Sequence, residues 1–325
     1  DRVADLFANS SRTELKSNVT QDQINNLKAE VTSTEGFVVD KNILLKELEI
    51  ADSLLNKNTD NLGLIKNNLY SINPQVDNQK FGKAINDWQP LGIVGLANEK
   101  VTIYADIPEG EVVSLVPTQF FEQANSLSSS PIPLKNGRNI ITIPKIGNVN
   151  TDRGGSLYLT YSGNRASDIK LQIIGGHKIP YLELNDFHKI SETEAKERIR
   201  NFIIELTEYN PYNLPGNKEI QNLNHTEISL PNILLSLPAT KVLDGINEGV
   251  STQEEKVEKM YKNVQSWEEL MGVMYKTHGI DDHKNNSLQT RNNIRYMKMF
   301  SGAFMYAAGN HIGVPYGSAS GLMNG

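Results

Sequence analysis

Apolar positions change period along this chain, and the changes divide it into three parts. Over residues 1–88 they fall at helical spacing. Ile24, Leu27 and Val31 share one face behind Thr20 and Gln23, whose separation is that of a capping box. A second run, Ile43, Leu44, Leu48, Ala51 and Leu55, follows Asp40 as its N-cap. This part reads as a small helical domain or hairpin, serving either as a packed spacer or as a helix that binds a partner. After Trp88 short alternating or β-branched runs take over: Val101–Ala105, Val112–Val116, Ile140–Ile143, Leu157–Tyr161 and Ile169–Ile174. Turn residues separate them at Pro108-Glu109-Gly110, Asn136-Gly137, Gly154-Gly155 and Ser162-Gly163-Asn164. With no helical pattern between the runs, residues 89–180 predict an antiparallel β-sandwich. Leu157 and Tyr158 point to opposite faces of their strand, so one of each alternating set is expected to be buried.

Beyond Pro180 the helical period returns. Ser191 and Glu194 have capping-box spacing ahead of Ile199, Phe202, Ile203 and Leu206. Ile228 to Leu237, interrupted by Pro231 and closed by Pro238, is strand-like. Ser251 and Glu254 read as the next capping box, before Val257, Met260, Tyr261, Val264, Trp267, Leu270, Met271 and Met274. This pattern predicts one long helix or two broken near Ser266. Residues 293–308 are apolar and aromatic and lead into a glycine-rich tail. The fold class is therefore α+β and multidomain: an N-terminal helical segment, an antiparallel β-sandwich and a mostly helical third part over residues 181–325.

Composition narrows the function. The formal charge of −6 and the scatter of Lys and Arg leave no basic patch for phosphates, so nucleic acid is not an expected partner. No apolar run approaches the roughly 20 residues that span a bilayer. The absence of cysteine removes disulfides, thiol nucleophiles and thiolate metal sites.

The chemistry-bearing residues form no recognisable constellation. A gluzincin zinc site takes two His one helical turn apart with Glu beside the first, H-E-x-x-H. None of His177, His188, His225, His278, His283 and His311 precedes Glu, and no two are four apart. His278 and His283, around Asp281-Asp282, come nearest but read as a solvated loop. Gly317-Ser318-Ala319-Ser320-Gly321 has Ala where a nucleophile elbow needs Ser. Glu183, Asp186, Glu192 and Glu194 offer carboxylate pairs, as any chain with 38 acidic residues does. Trp88, Tyr104, Phe120, Phe121, Tyr158 and Tyr161 could stack on sugar rings or pack a core. No catalytic, cofactor-binding or metal residue is assigned.

The order of segments carries a resemblance. Leu91-Gly92-Ile93 with Glu99 to Ala105, Asn148 to Tyr161 around Gly154-Gly155, Leu171 to Gly175 followed by Pro180 to Leu184, Leu230 to Pro238, and Ser266 to Met271 together resemble the enhancin-like, mucin-degrading zinc metallopeptidases. The resemblance runs from about Gln89 to Gly325. It implies a secreted or cell-surface bacterial zinc peptidase, of the gluzincin type, that attacks mucin-like O-glycoproteins. In that family H-E-x-x-H and a downstream Glu hold one zinc. This sequence stops at Gly325, short of such a motif, so residues 181–325 are expected to be the beginning of the catalytic subdomain. Zinc is expected in a full-length protein and none in this portion. Host O-glycoproteins or mucins are the expected partners. A glycan- or protein-binding surface module without chemistry is the alternative, and an adhesin with the leading helices as stalk a third reading. Apolar surface around Phe300, Phe304, Met305 and Tyr306 is expected to leave the C-terminal end poorly ordered, swapped or dimerised.

Overall fold

The computed structural model describes residues 2–35, 41–67, 69–70, 86–120, 127–146, 154–209, 223–278, 291–299 and 303–324. Asp40, Phe121, His283 with Asp281-Asp282, Phe300 and residues 148–153, all used in the sequence reading, lie outside the described residues.

Two helices open the chain, α1 (Gln21–Ser33) and α2 (Lys41–Leu55). Thr20 and Gln23 do form the reciprocal capping box at α1, and Ile24, Leu27 and Val31 are buried beneath it. The pair docks on the sandwich through buried charge. Glu47 of α2 accepts from Arg138 at 2.6 Å, with Arg12 on its other side at 3.6 Å and Tyr104 in the same apolar cluster as the helices. Ser10 and Ser11 add hydrogen bonds to Asp106, each of 2.6 Å.

The sandwich forms as the alternation predicts. One layer comprises β1 (Leu64–Asn67), β8 (Lys170–Ile174), β3 (Lys100–Asp106) and β6 (Gly137–Thr142) in that order. The other runs β5 (Ile132–Pro133), β4 (Val112–Pro117), β7 (Gly155–Ser162), β2 (Gln89–Gly95), β9 (His177–Lys178), and every pairing in both layers is antiparallel. Leu91, Ile93, Val101, Ile103, Val113, Leu115, Leu157, Leu159, Leu171 and Ile173 fill the space between them. β1 belongs to the part of the sequence read as helical; its four residues are too short a signal beside the long helical runs.

The third part is a mixed six-stranded sheet covered by helices. Its order is β10 (Tyr181–Glu183), β11 (Thr226–Ser229), β12 (Ile233–Leu237), β13 (Asn292–Met297), β15 (Ile312–Pro315), β14 (Tyr306–Ala307). Helices α3 (Glu192–Glu208), α4 (Ala239–Asn247) and α5 (Gln253–Thr277) complete it. Leu182, Ile228 and Leu235 meet Ile199, Phe202, Val257, Met260 and Val264 in the largest apolar cluster.

One expectation is corrected here. The capping box of α5 is Thr252 with Glu255, one residue later than Ser251 and Glu254. Ser251-Thr252-Gln253-Glu254-Glu255 satisfies the spacing twice, and Glu255 gathers the backbone N–H groups of both Ser251 and Thr252. Of the two alternatives, one long helix or two broken near Ser266, the structure has the single helix. The C-terminal tail is anchored: Ala319 and Met323, on a 3-10 helix over Tyr316–Met323, are fully buried against α4, and Asn263 donates to the Met323 carbonyl at 2.8 Å.

Candidate functional site

Register across the six-stranded sheet aligns one lateral row of residues, Tyr181, Glu227, Ser236, Arg295, Gly313 and Tyr306, one from each strand. Neighbours in a lateral row project from the same face. The neighbouring row, Leu182, Ile228, Leu235 and Ile294, faces the helices. The sheet is thus amphipathic, yet its polar face is covered by the sandwich rather than by water. Strand β7 provides the cover, with Leu157 in the sandwich core and Tyr158 in the seam between the layers. Both faces of this strand are therefore inside: beyond the one buried set expected, the second is buried as well.

The seam is a hydrogen-bonded network. Buried Glu227 accepts from the Tyr158 phenol, from Ser236 Oγ at 2.9 Å, and pairs with His225 Nε2 at 2.5 Å. Burial first and the Glu227 carboxylate second push the Tyr158 phenol well above the usual tyrosine range, so it stays a donor. Arg295 lies 4.2 Å from the Trp88 ring centroid and 5.1 Å from that of Phe120, and its Nε donates to Asn293. Burial lowers its pKa to about 10, which leaves the guanidinium charged at neutral pH. At the β10 edge Glu183 accepts from Lys66 Nζ at 2.6 Å and from Tyr70 at 3.3 Å, so the sandwich closes that side.

Among the described residues the opposite edge is open. Among these described residues β14 pairs only with β15, through Tyr306↔Gly313 and Ala307↔Ile312. Ala308 N–H donates to the His311 carbonyl at 2.9 Å, so the adjacent pair Ala307↔Ile312 is the non-hydrogen-bonded kind and the N–H and C=O of Ala307 face outward. The Tyr306 ring lies across Gly313, where any Cβ would overlap it, and its hydroxyl meets His311 Nε2 at 2.8 Å. Just before the strand Phe304 is 81% and Met305 60% exposed. Among the described residues nothing pairs with the outward N–H and C=O of Ala307, which lie beside two apolar side chains.

The other residues considered from sequence are occupied elsewhere. His177 pairs with Glu99 at 2.9 Å, and His188 with Glu268 at 2.9 Å beside a cavity of about 340 Å³ lined by Phe187, Asn232 and Gln265. His278 is exposed at the end of α5. Among the described residues no group of three or more His, Asp or Glu could hold a metal, so they do not fit the zinc site that the resemblance implies. Asp186 and Glu194 both hold Arg198, and Glu192 holds Lys196, so this acidic cluster is a set of ion pairs. Ser318 donates to the Pro315 carbonyl at 2.7 Å within the 3-10 helix. Trp88, Tyr104, Phe120, Tyr158 and Tyr161 are all buried, so none presents a face to a sugar. Sequence reasoning missed Glu227, Arg291 and Arg295. The signal for Glu227 and Arg295 was a polar residue on either side of one apolar residue, in Glu227-Ile228-Ser229 and Asn293-Ile294-Arg295.

Comparison with known proteins agrees with this architecture. Residues 1–57 match a family model described as pesticidal crystal protein Cry1Aa, domain IV. No curated protein matches the chain. Among solved structures, a metallopeptidase from Bacteroides thetaiotaomicron superposes over 99% of this chain and 47% of its own, with a TM-score of 0.69 and 17% identity. The CBM32-1, CBM32-2 and M60 catalytic domains of ZmpB from Clostridium perfringens cover 99% of this chain and 32% of theirs, with a TM-score of 0.66 and 21% identity. The M60 catalytic domain of ZmpC from the same organism, in complex with the sialyl T antigen, covers 80% and 49%, with a TM-score of 0.57 and 21% identity. The chain has the fold of these metallopeptidases and spans half or less of their length.

Proposed function

We propose that this chain is the substrate-holding half of a zinc metallopeptidase that acts outside a bacterial cell on mucin-like O-glycoproteins. The observation that carries the reading is the open edge of β14, on a fold shared over nearly the whole chain with metallopeptidases. An extended peptide adds to such an edge by main-chain hydrogen bonds, at Ala307 here, while Phe304 and Met305 supply apolar contact. The sandwich holds the sheet through the Tyr158–Glu227 and Trp88–Arg295 contacts, which keeps the edge in place while a peptide docks. The zinc of such an enzyme, which activates water for attack on the peptide carbonyl, is assigned to residues other than the described ones. The O-glycoprotein substrate is suggested by the solved relative that holds a sialyl T antigen.

The test compares this chain with a longer polypeptide that contains it, measuring zinc content and cleavage of a mucin-type O-glycopeptide. Zinc at about one equivalent and cleavage in the longer form alone are expected. Cleavage by the present chain, or inactivity of a zinc-loaded longer form, overturns the reading.

A further inference from the structure

Sulfur enters this chain only as methionine. There is no cysteine, so no thiol competes for an oxidant, and all seven methionines lie among the described residues. Their surroundings differ. Met260, Met271, Met297 and Met323 are buried. Met274 and Met299 are half-buried, the first packed against the largest apolar cluster and the second against the seam. The sulfur of Met297 is covered by a donor as well, since the Tyr306 hydroxyl meets Met297 Sδ at 3.2 Å. Met305 alone is exposed, at 60%.

Its position gives that exposure a consequence. Met305 immediately precedes β14 and follows the exposed Phe304, beside the outward N–H and C=O of Ala307. A thioether is a soft, nearly apolar group, and a chain docked over it takes no strong hydrogen bond away from water. A sulfoxide differs. Its S=O oxygen is a strong acceptor that water satisfies, and covering it with a peptide costs the desolvation of that oxygen. In the uncovered protein the same change at Met305 costs little, because the side chain already stands in water. Oxidation there acts on docking and leaves the fold alone. At buried Met297 it would do the reverse, forcing a polar oxygen into the seam beside Tyr306.

We infer that Met305 is a site of reversible sulfoxidation by peroxide, and that the modification weakens the docking of a peptide on the β14 edge. The lone pair of the Met305 sulfur attacks one oxygen of hydrogen peroxide and the O–O bond breaks. That oxygen passes to sulfur and the other leaves as water, so the thioether is oxidised by two electrons and the peroxide reduced by two. A methionine sulfoxide reductase, drawing two electrons from a dithiol, removes the oxygen again as water. The oxidation site stands on exposure alone, whereas its effect on cleavage rests on the peptidase reading.

The test has two arms. In the first, this chain is treated with hydrogen peroxide and each methionine is followed by peptide mapping and mass spectrometry. Met305 is expected to gain one oxygen about 10-fold faster than any other methionine, and Tm to stay within about 1 °C when Met305 alone is oxidised. In the second, the zinc-loaded longer polypeptide is treated in the same way. Cleavage of the O-glycopeptide is expected to fall about 3- to 10-fold, mostly through KM, and to recover with methionine sulfoxide reductase. Met305→Leu, whatever its starting activity, should show neither the fall nor the recovery. Another methionine oxidised as fast as Met305, a lowered Tm with Met305 alone oxidised, undiminished cleavage after its full oxidation, or an equal loss in Met305→Leu overturns the inference. An untreated longer form that does not cleave overturns the peptidase reading and the effect on docking with it, while the first arm still decides the oxidation site.

Discussion

The ring of Tyr306 occupies the space that a side chain at Gly313 would need. A residue without Cβ on β15 thus lets an aromatic on the edge strand lie flat on the sheet, with its hydroxyl on His311. Gly313→Ala is expected to displace the ring and destabilise the protein by about 1–3 kcal/mol. Combining it with Tyr306→Ala should give less than the sum of the two single losses, since the clash is then absent. Urea denaturation of the two single variants and the double variant measures this; strict additivity would show that the two side chains do not compete for space.

Tyr158 reaches across the seam to Glu227, and a buried carboxylate that loses a donor carries the full cost of its desolvation. Tyr158→Phe is expected to cost about 1–3 kcal/mol while conserving the ring that packs on Trp88. Glu227→Gln, which removes the charge as well, should make the later Tyr158→Phe change cheaper. A double-mutant cycle in urea reads the coupling directly.

Acid and alkali should act on the cluster at the β10 edge with opposite signs. Burial would raise the Glu183 pKa, but Lys66 and its hydrogen bonds outweigh it and hold the value below the ordinary 4.5. The stabilisation is therefore present above the unfolded pKa and is lost as pH falls through the lower folded value. Tyr70 is the converse: burial, then Glu183, raise its pKa from 10.0 to about 12, so its contribution is complete below 10 and declines as pH rises toward 12. Lys66→Gln should move the acid unfolding midpoint upward. An unchanged midpoint would mean that the Lys66–Glu183 pair does not govern acid stability.

Ala307 provides a test of peptide docking that spares the fold. Its N–H faces away from β15, so Ala307→Pro removes a donor to an added strand while leaving the pairing with β15 in place. Peptide cleavage by the zinc-loaded enzyme is expected to fall about 10-fold or more with Tm little changed. Undiminished cleavage would move the peptide to some other surface.

Much of the architecture was legible because its signals are local. The strands from Val101 to Ile174 alternate between turn residues, and the capping box at Thr20 and Gln23 is complete within four positions. The α5 box was read one residue early because two overlapping matches differ only in backbone conformation. The seam was not legible for a different reason. Glu227, Ser236, Asn293 and Arg295 have the period of a half-solvated strand, and nothing within their own segments tells that a sandwich more than 60 residues away in sequence will cover them (Tyr158 and Glu227 are 69 apart). The aromatic residues offered as a sugar platform turned out to be part of that cover, since a face that buries charge also needs ring surface against which to pack it.

Because the joint between sandwich and sheet is polar, the two cannot be exchanged independently between proteins. An unrelated sandwich with an ordinary apolar outer face would strand Glu227 without Tyr158 and Arg295 without Trp88, and the recombinant would be penalised before any substrate was met. Layers joined by oil tolerate shuffling; these two are obliged to be inherited, and to diverge, as a pair.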